Sequence, residues 1–236
     1  IEQALEKFSG DVFGGERMKP SGFYLCDCMD AMREFPDKFF QLCIVDPPYG
    51  ISITDSGRLG KYCKNGNRWD DCIPSKEYFD ELFRVSENQI IWGGNYFALP
   101  PTRGFVIWDK KQPQGISFAS CEFAWTSFDV SARTFYMSPM NMKEERIHAA
   151  QKPIALYEYL LTNYAKRGDK ILDTHVGSAS SLIACHRMGF EYWGYELDES
   201  YFKAATERLE RERSMQPLFA PEEIYKPQQQ GLEFED

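Results

Sequence analysis

Asp46, Pro47, Pro48 and Tyr49 put a carboxylate, two residues without an N–H donor and an aromatic face in consecutive positions. The prolines fix φ and remove two donors, so nearby carbonyls can serve as acceptors beside the carboxylate. Such a set suits an amino group carried on a flat ring. A second set runs Asp173-Thr174-His175-Val176-Gly177-Ser178-Ala179-Ser180-Ser181 and is followed by Glu196. Small residues ahead of a helix leave its first N–H groups open to a ligand and favour an anion there. An acid roughly 20 residues past such a loop lies at the distance from which carboxylates bind ribose hydroxyls in α/β folds. The second set therefore points to an adenosine-type cofactor. The three-glycine dinucleotide fingerprint and the Gly-Lys pair of a phosphate P-loop are both absent. Plainer readings stand beside these: Pro-Pro as a strand stop, Asp173 or Ser178 as a helix cap, Glu196 as a surface acid.

Both sets need strands to hold them. The apolar run Leu42 to Val45 reads as a buried parallel strand ending at Asp46. Strands are also predicted at Phe23 to Cys26, Gln89 to Trp92, Phe105 to Trp108, Glu122 to Phe128, Lys170 to Leu172 and Tyr192 to Tyr195. Phe105 to Trp108 and Glu122 to Phe128 form an antiparallel pair joined through Lys110 to Ser120. Helices are predicted over Met29 to Phe35, Lys76 to Val85, Pro153 to Tyr164, Ser180 to Met188 and Ser200 to Arg213. Alternating strands and helices imply an α/β fold with a mostly parallel, seven-stranded sheet, one strand antiparallel, and helices on both faces. Residues 1 to about 20 read as a short helix or arm, 51–75 as a long loop and 131–148 as polar and irregular. The end beyond Pro217 reads as a flexible acidic tail.

The 236 residues are read as a single domain, and 43% hydrophobic with 15% aromatic residues suffice for a large core. The absence of a long apolar stretch or signal-type start leads to the expectation of a cytoplasmic protein without a membrane partner. Seven scattered cysteines fit reduced thiols, and a lone Cys26-x-Cys28 pair argues against zinc, so no metal is expected. The net charge of −9 speaks against a nucleic-acid partner, but the positive charge is clustered. Arg58, Lys61, Lys64 and Arg68 follow the Asp46 loop, and Arg133, Lys143, Arg146 and Lys152 gather later. Surface solvation is the bland reading of both clusters. His148 and His175 are expected to pack or lie at the surface, and Trp69, Trp92 and Trp108 to anchor core or loops.

The early Asp-Pro-Pro-Tyr loop and late Asp-x-x-x-Gly-Ser loop together resemble the β-class amino-methyltransferases of DNA, whose motif order is permuted so that the cofactor half comes second. The likeness spans most of the chain. Trp92-Gly93-Gly94-Asn95-Tyr96-Phe97 and Trp108-Asp109-Lys110 are similar to runs in small phage or prophage adenine methylases. The resemblance implies a Rossmann-like fold, S-adenosyl-L-methionine as cofactor and double-stranded DNA as partner. It implies catalytic roles for Asp46, Pro47, Pro48 and Tyr49. It implies cofactor binding by Asp27, Cys28, Lys152, Asp173, Thr174, His175, Gly177, Ser178, Ser180, Ser181 and Glu196. DNA contacts would come from Arg58, Lys61, Lys64 and Arg68, with recognition by 51–75 and 131–148. Two departures mark this chain: Asp173-Thr174-His175 where the family usually has Asp-Pro-Phe, and Gly177-Ser178-Ala179 where it often has Gly-Ser-Gly.

The expected reaction is methylation of adenine N6 on a base turned out of the duplex, at a specific site and in a restriction-modification or phage setting. Asp46, rather than Ser, at the motif's first position tilts toward adenine; cytosine N4 is the alternative. An RNA or free small molecule as substrate, or a catalytically silent nucleic-acid-binding module, are further alternatives. A homodimer and a clamp-type partner are also carried as expectations. The latter rests on a faint peptide likeness at Met215-Gln216-Pro217-Leu218-Phe219.

Overall fold

A computed structural model describes residues 19–52, 70–113, 115, 119–142 and 144–215, together with the backbone of two short strands before them. Those strands, β1 (Val12–Phe13) and β2 (Glu16–Arg17), pair antiparallel, so the expected helix or arm is partly a tight ribbon. The main sheet contains β3 (Gly22–Leu25), β4 (Phe40–Val45), β5 (Ser86–Trp92), β6 (Phe105–Asp109) and β7 (Cys121–Thr126). It is completed by β8 (Arg133–Tyr136), β9 (Lys170–Asp173) and β10 (Glu191–Glu196). Their spatial order is β3-β10-β9-β4-β5-β7-β6-β8. Only β7 runs against the rest, since it pairs antiparallel with both β5 and β6 while the other ladders are parallel.

The sheet thus has eight strands where seven are expected. The extra one, β8, lies inside the stretch read as irregular. Its alternation of half-buried and exposed residues is short, and it pairs with β6 alone, so its pairing comes from the sheet edge rather than from a strong apolar pattern.

Five helices fill the connections among the described residues: α1 (Cys28–Arg33), α2 (Lys76–Val85), α3 (Ile154–Tyr164), α4 (Ser180–Met188) and α5 (Glu199–Ser214). Period-two alternation sends Leu42 and Ile44 of β4 to one face and Cys43 and Val45 to the other. The first face packs against α3, α4 and α5, the second against α1 and α2, giving three layers. Cys43 and Cys185 are buried, and all six described cysteines are free thiols.

The chain leaves β4 through α2 toward β5, whereas it leaves β9 through α4 toward β10 on the other side. Since β4 and β9 are neighbours, the strand order reverses between them. Open α/β sheets bind ligands in the crevice that such a reversal creates at the carboxyl ends.

Candidate active site

Four acids stand at the carboxyl tips of the four strands on that side of the sheet. Asp27 follows β3, Glu196 ends β10, Asp173 ends β9 and Asp46 follows β4. Register fixes the row: Leu25 lies opposite Glu196, and Gly194 opposite Asp173. Two motifs more than a hundred residues apart thereby share one crevice.

Asp46 is the centre of a network around the buried Lys152. One carboxylate oxygen accepts from the Tyr49 hydroxyl at 2.5 Å, and the other pairs with the Lys152 ammonium. Lys152, 2% exposed, also lies 3.1 Å from Glu122, which in turn pairs with Lys110 at 2.6 Å. Burial pushes the Asp46 carboxyl up, against the opposing pull of Lys152. Burial would lower Lys152, but Asp46 and Glu122 outweigh it and hold the ammonium above its ordinary range. Glu122 is half-buried, which would raise its carboxyl, yet Lys152 and Lys110 bring it down to about 2. Lys152, expected on a cofactor carboxylate, pairs in this structure with Asp46 and Glu122.

The loop itself is shaped by contacts the sequence reading missed. Asp70, 2% exposed, accepts the N–H groups of Tyr49 at 2.7 Å and Gly50 at 3.1 Å. Such charge-assisted bonds to consecutive amides hold the turn after the two prolines. Tyr49 lies against Tyr96, with ring centroids 5.1 Å apart and planes 14° from parallel. Gly93 makes room: its φ is +69°, and a Cβ there would stand 2.2 Å from the Tyr49 ring. The half-exposed Tyr96 and the Tyr49 ring together form an aromatic wall beside Asp46. Trp92 and Trp108 are core residues, as expected, with the lysines of the network over their rings.

The second loop is organised from within. Asp173 accepts the Ser181 hydroxyl and, at 3.0 Å, the His175 N–H; burial pushes its carboxyl up to about 7. Glu196 accepts from the N–H groups of Gly177 (2.9 Å), Leu197 (3.0 Å) and Asp198 (2.9 Å). Ser178 and Ser180 share a hydroxyl contact at 3.1 Å, and Arg208 binds the Ser178 carbonyl at 2.6 Å. Arg208 gave no local signal, because it reaches back from α5. Ala179 is fully buried at φ +61°, a left-handed conformation that costs an alanine about 1–2 kcal/mol and that glycine would adopt freely.

The Thr174-His175 departure is also accounted for. Thr174 meets the Tyr78 hydroxyl of α2 at 2.7 Å and the His175 ring at 2.9 Å. Burial drives His175 down to about 4, which keeps it neutral. His148 is half-buried, is likewise pushed down to about 4 by desolvation, and packs over Gly177 and against Tyr201. Asp27 caps α1, accepting the Met29 N–H at 2.7 Å, and burial raises the Cys28 thiol to about 12. Arg58, Lys61, Lys64, Arg68 and Trp69 lie outside the described residues, as does the tail from 216 on.

Comparison with known proteins follows the same lines. Residues 102–207 match the family model N6_N4_Mtase, DNA methylase; this stretch includes Glu122, Lys152, Asp173 and Glu196 but not the Asp46 loop. The chain is 21% identical over 238 residues to type II methyltransferase M.HpaI of Haemophilus parainfluenzae, covering 79% of this chain and 73% of that protein. Its fold is similar to that in the crystal structure of the M1.HpyAVI–SAM complex, with a TM-score of 0.54 and 18% identity over 79% of this chain and 98% of that one. It is also similar to PvuII DNA methyltransferase, described as cytosine-N4-specific, with a TM-score of 0.56 and 12% identity over 88% of this chain and 90% of that one. These matches liken residues 102–207 to the N6/N4 DNA methylases and the fold to that of the Rossmann-like methyltransferases.

Proposed function

We propose that this chain is a DNA methyltransferase that transfers a methyl group from S-adenosylmethionine to the exocyclic N6 of an adenine turned out of double-stranded DNA. One observation carries the reading: Asp46, with its aromatic wall, stands at the tip of β4 directly beside the Asp173 loop at the tip of β9. An acceptor for an amine and a loop suited to a nucleoside cofactor share one crevice.

The residues at β9, β10 and β3 fit the cofactor. Glu196 spends three of its roughly four acceptor sites on backbone N–H groups, which leaves capacity for a hydroxyl. Gly177, at φ +55°, presents no side chain where the loop turns into α4. Glu196 and the Gly177–Ser181 loop would hold the cofactor, with Asp27 and Cys28 at the neighbouring strand tip. When bound, S-adenosylmethionine supplies an electrophilic methyl on a sulfonium sulfur.

The chain's part is to prepare the amine. An exocyclic amine is a weak nucleophile because its lone pair is delocalised into the ring. Asp46 and the Pro47 carbonyl accept its two N–H bonds, which draws the nitrogen toward tetrahedral geometry and frees the lone pair. Tyr49 and Tyr96 hold the flat base by stacking. Positive charge gathers on the nitrogen during attack, where an ionised Asp46 stabilises it and then receives the proton. Arg58, Lys61, Lys64 and Arg68, with segments 51–75 and 131–148, are assigned to DNA contact and recognition.

Cytosine N4 is the second reading, favoured by the fold likeness to a cytosine-N4-specific enzyme. Both amines require the same chemistry. The test is transfer of labelled methyl to unmodified DNA by the parent and by Asp46→Ala, with products digested to nucleosides. Label in N6-methyladenine that disappears in the variant supports the proposal. Label in N4-methylcytosine replaces the base, and no transfer with intact cofactor binding refutes DNA methylation.

A further inference from the structure

We propose that Glu122, braced by Lys110, is a positioning residue that takes a share of the Lys152 ammonium and so keeps Asp46 able to receive an amine. The inference deepens the methyl-transfer reading and rests on it for its catalytic consequence.

An isolated Lys152–Asp46 pair would be a poor amine site. An ammonium on the Asp46 carboxylate weakens it as an acceptor and opposes the positive charge that the attacking nitrogen acquires. Here Lys152 has a second carboxylate, Glu122, at 3.1 Å, and Glu122 is fixed from its other side by Lys110 at 2.6 Å. The four groups alternate in sign, Asp46, Lys152, Glu122 and Lys110, so the cluster is neutral as a whole. Lys152 is 2% exposed, which keeps water from screening the arrangement.

The fold builds this cluster deliberately from distant segments. Glu122 lies on β7 directly opposite Trp108 of β6, and Lys110 follows β6 and lies over the Trp108 ring at 5.0 Å. Lys152 precedes α3 and lies over Trp92 at 5.2 Å. The other titratable groups acting on Asp46 are Tyr49 of its own loop, Tyr157 of α3 and Asp173 at the tip of β9, with Glu196 and Asp27 farther along the same row and His148 acted on by Lys152. None of these supplies a second anion to Lys152 within ion-pair distance among the described residues.

Two variants move the charge in opposite directions. Glu122→Gln leaves Lys152 wholly to Asp46 and adds one net positive charge to the cluster. Lys110→Met removes the brace and adds one net negative charge. The protonation midpoint of Asp46, read by carbon NMR of aspartate labelled at the carboxyl, is expected to fall by about one pH unit in Glu122→Gln and to rise in Lys110→Met. In Glu122→Gln, kcat for methyl transfer should fall about ten- to a hundredfold, with the acid limb of its pH profile moved to lower pH. A merely structural role would lower thermal stability without moving the midpoints in opposite directions. Unmoved midpoints, midpoints moving the same way, or an unchanged kcat in Glu122→Gln would overturn the proposal. The titration needs no turnover, so an inactive parent would refute methyl transfer while the midpoints still judge the charge assignment.

Discussion

Replacing Gly93 by alanine probes whether the Tyr49 ring stands where the active-site geometry requires. Two costs are superimposed there. The backbone sits at φ +69°, which costs an L side chain about 1–2 kcal/mol. A Cβ would also stand 2.2 Å from one ring carbon of Tyr49 and 2.5 Å from the next, and relieving such overpacking costs about 1–3 kcal/mol. Gly168 supplies an internal control, because its φ is +89° but a Cβ there meets nothing within 4 Å. For a chain of this size each kcal/mol moves Tm by roughly 2–4 °C. Gly168→Ala should then lose about 2–8 °C and Gly93→Ala about 4–20 °C in matched calorimetric scans. In a double-mutant cycle with Tyr49→Ala, removal of the ring should return about 1–3 kcal/mol of the Gly93→Ala cost. Under the proposed function, a displaced Tyr49 ring also lowers kcat, on the order of a hundredfold for a shift near 1 Å. If Gly93→Ala costs no more than Gly168→Ala, or if the cycle is additive, the ring placement and the reasoning built on it are wrong.

Two further outcomes follow from single acids. Asp173 titrates near 3.9 when unfolded and at about 7 in the fold, so the native state holds its proton across that window. The stability it withdraws is nil below about pH 4, grows as pH rises and is complete above about 7; Asp173→Asn should therefore gain on the parent by up to about 4 kcal/mol between pH 4 and 8 in urea unfolding. Asp70→Ala removes the acceptor for the Tyr49 and Gly50 amides and should cost about 2–4 kcal/mol. Its kcat should fall at least about tenfold while calorimetric affinity for S-adenosylmethionine stays within about twofold. An Asp70→Asn variant, which keeps the oxygen, should recover most of both, and equal losses in the two variants would contradict the assigned role.

The sequence by itself determined the elements and the two chemically distinct loops. Leu42 to Val45 alternates between two buried faces, so its strand and the Asp46 loop at its tip were legible locally. The α2 range Lys76–Val85 and the α4 range Ser180–Met188 were equally legible, because helical spacing and small or capping residues act over a few positions. The antiparallel pairing of β6 with β7 followed from their direct connection through Lys110 to Ser120, with no helix predicted between them. Tertiary structure alone decided what met what. It set β4 beside β9, added β8 as an edge, brought Asp70 under the Tyr49 amides and ran Arg208 back to Ser178. It also paired Lys152 with Asp46 and gave it Glu122 as a second partner. A lysine or glutamate in a list of residues carries no sign of whether water or another charge will neutralise it. That is decided when burial strips the water away and leaves only the partners that strand order has placed within reach.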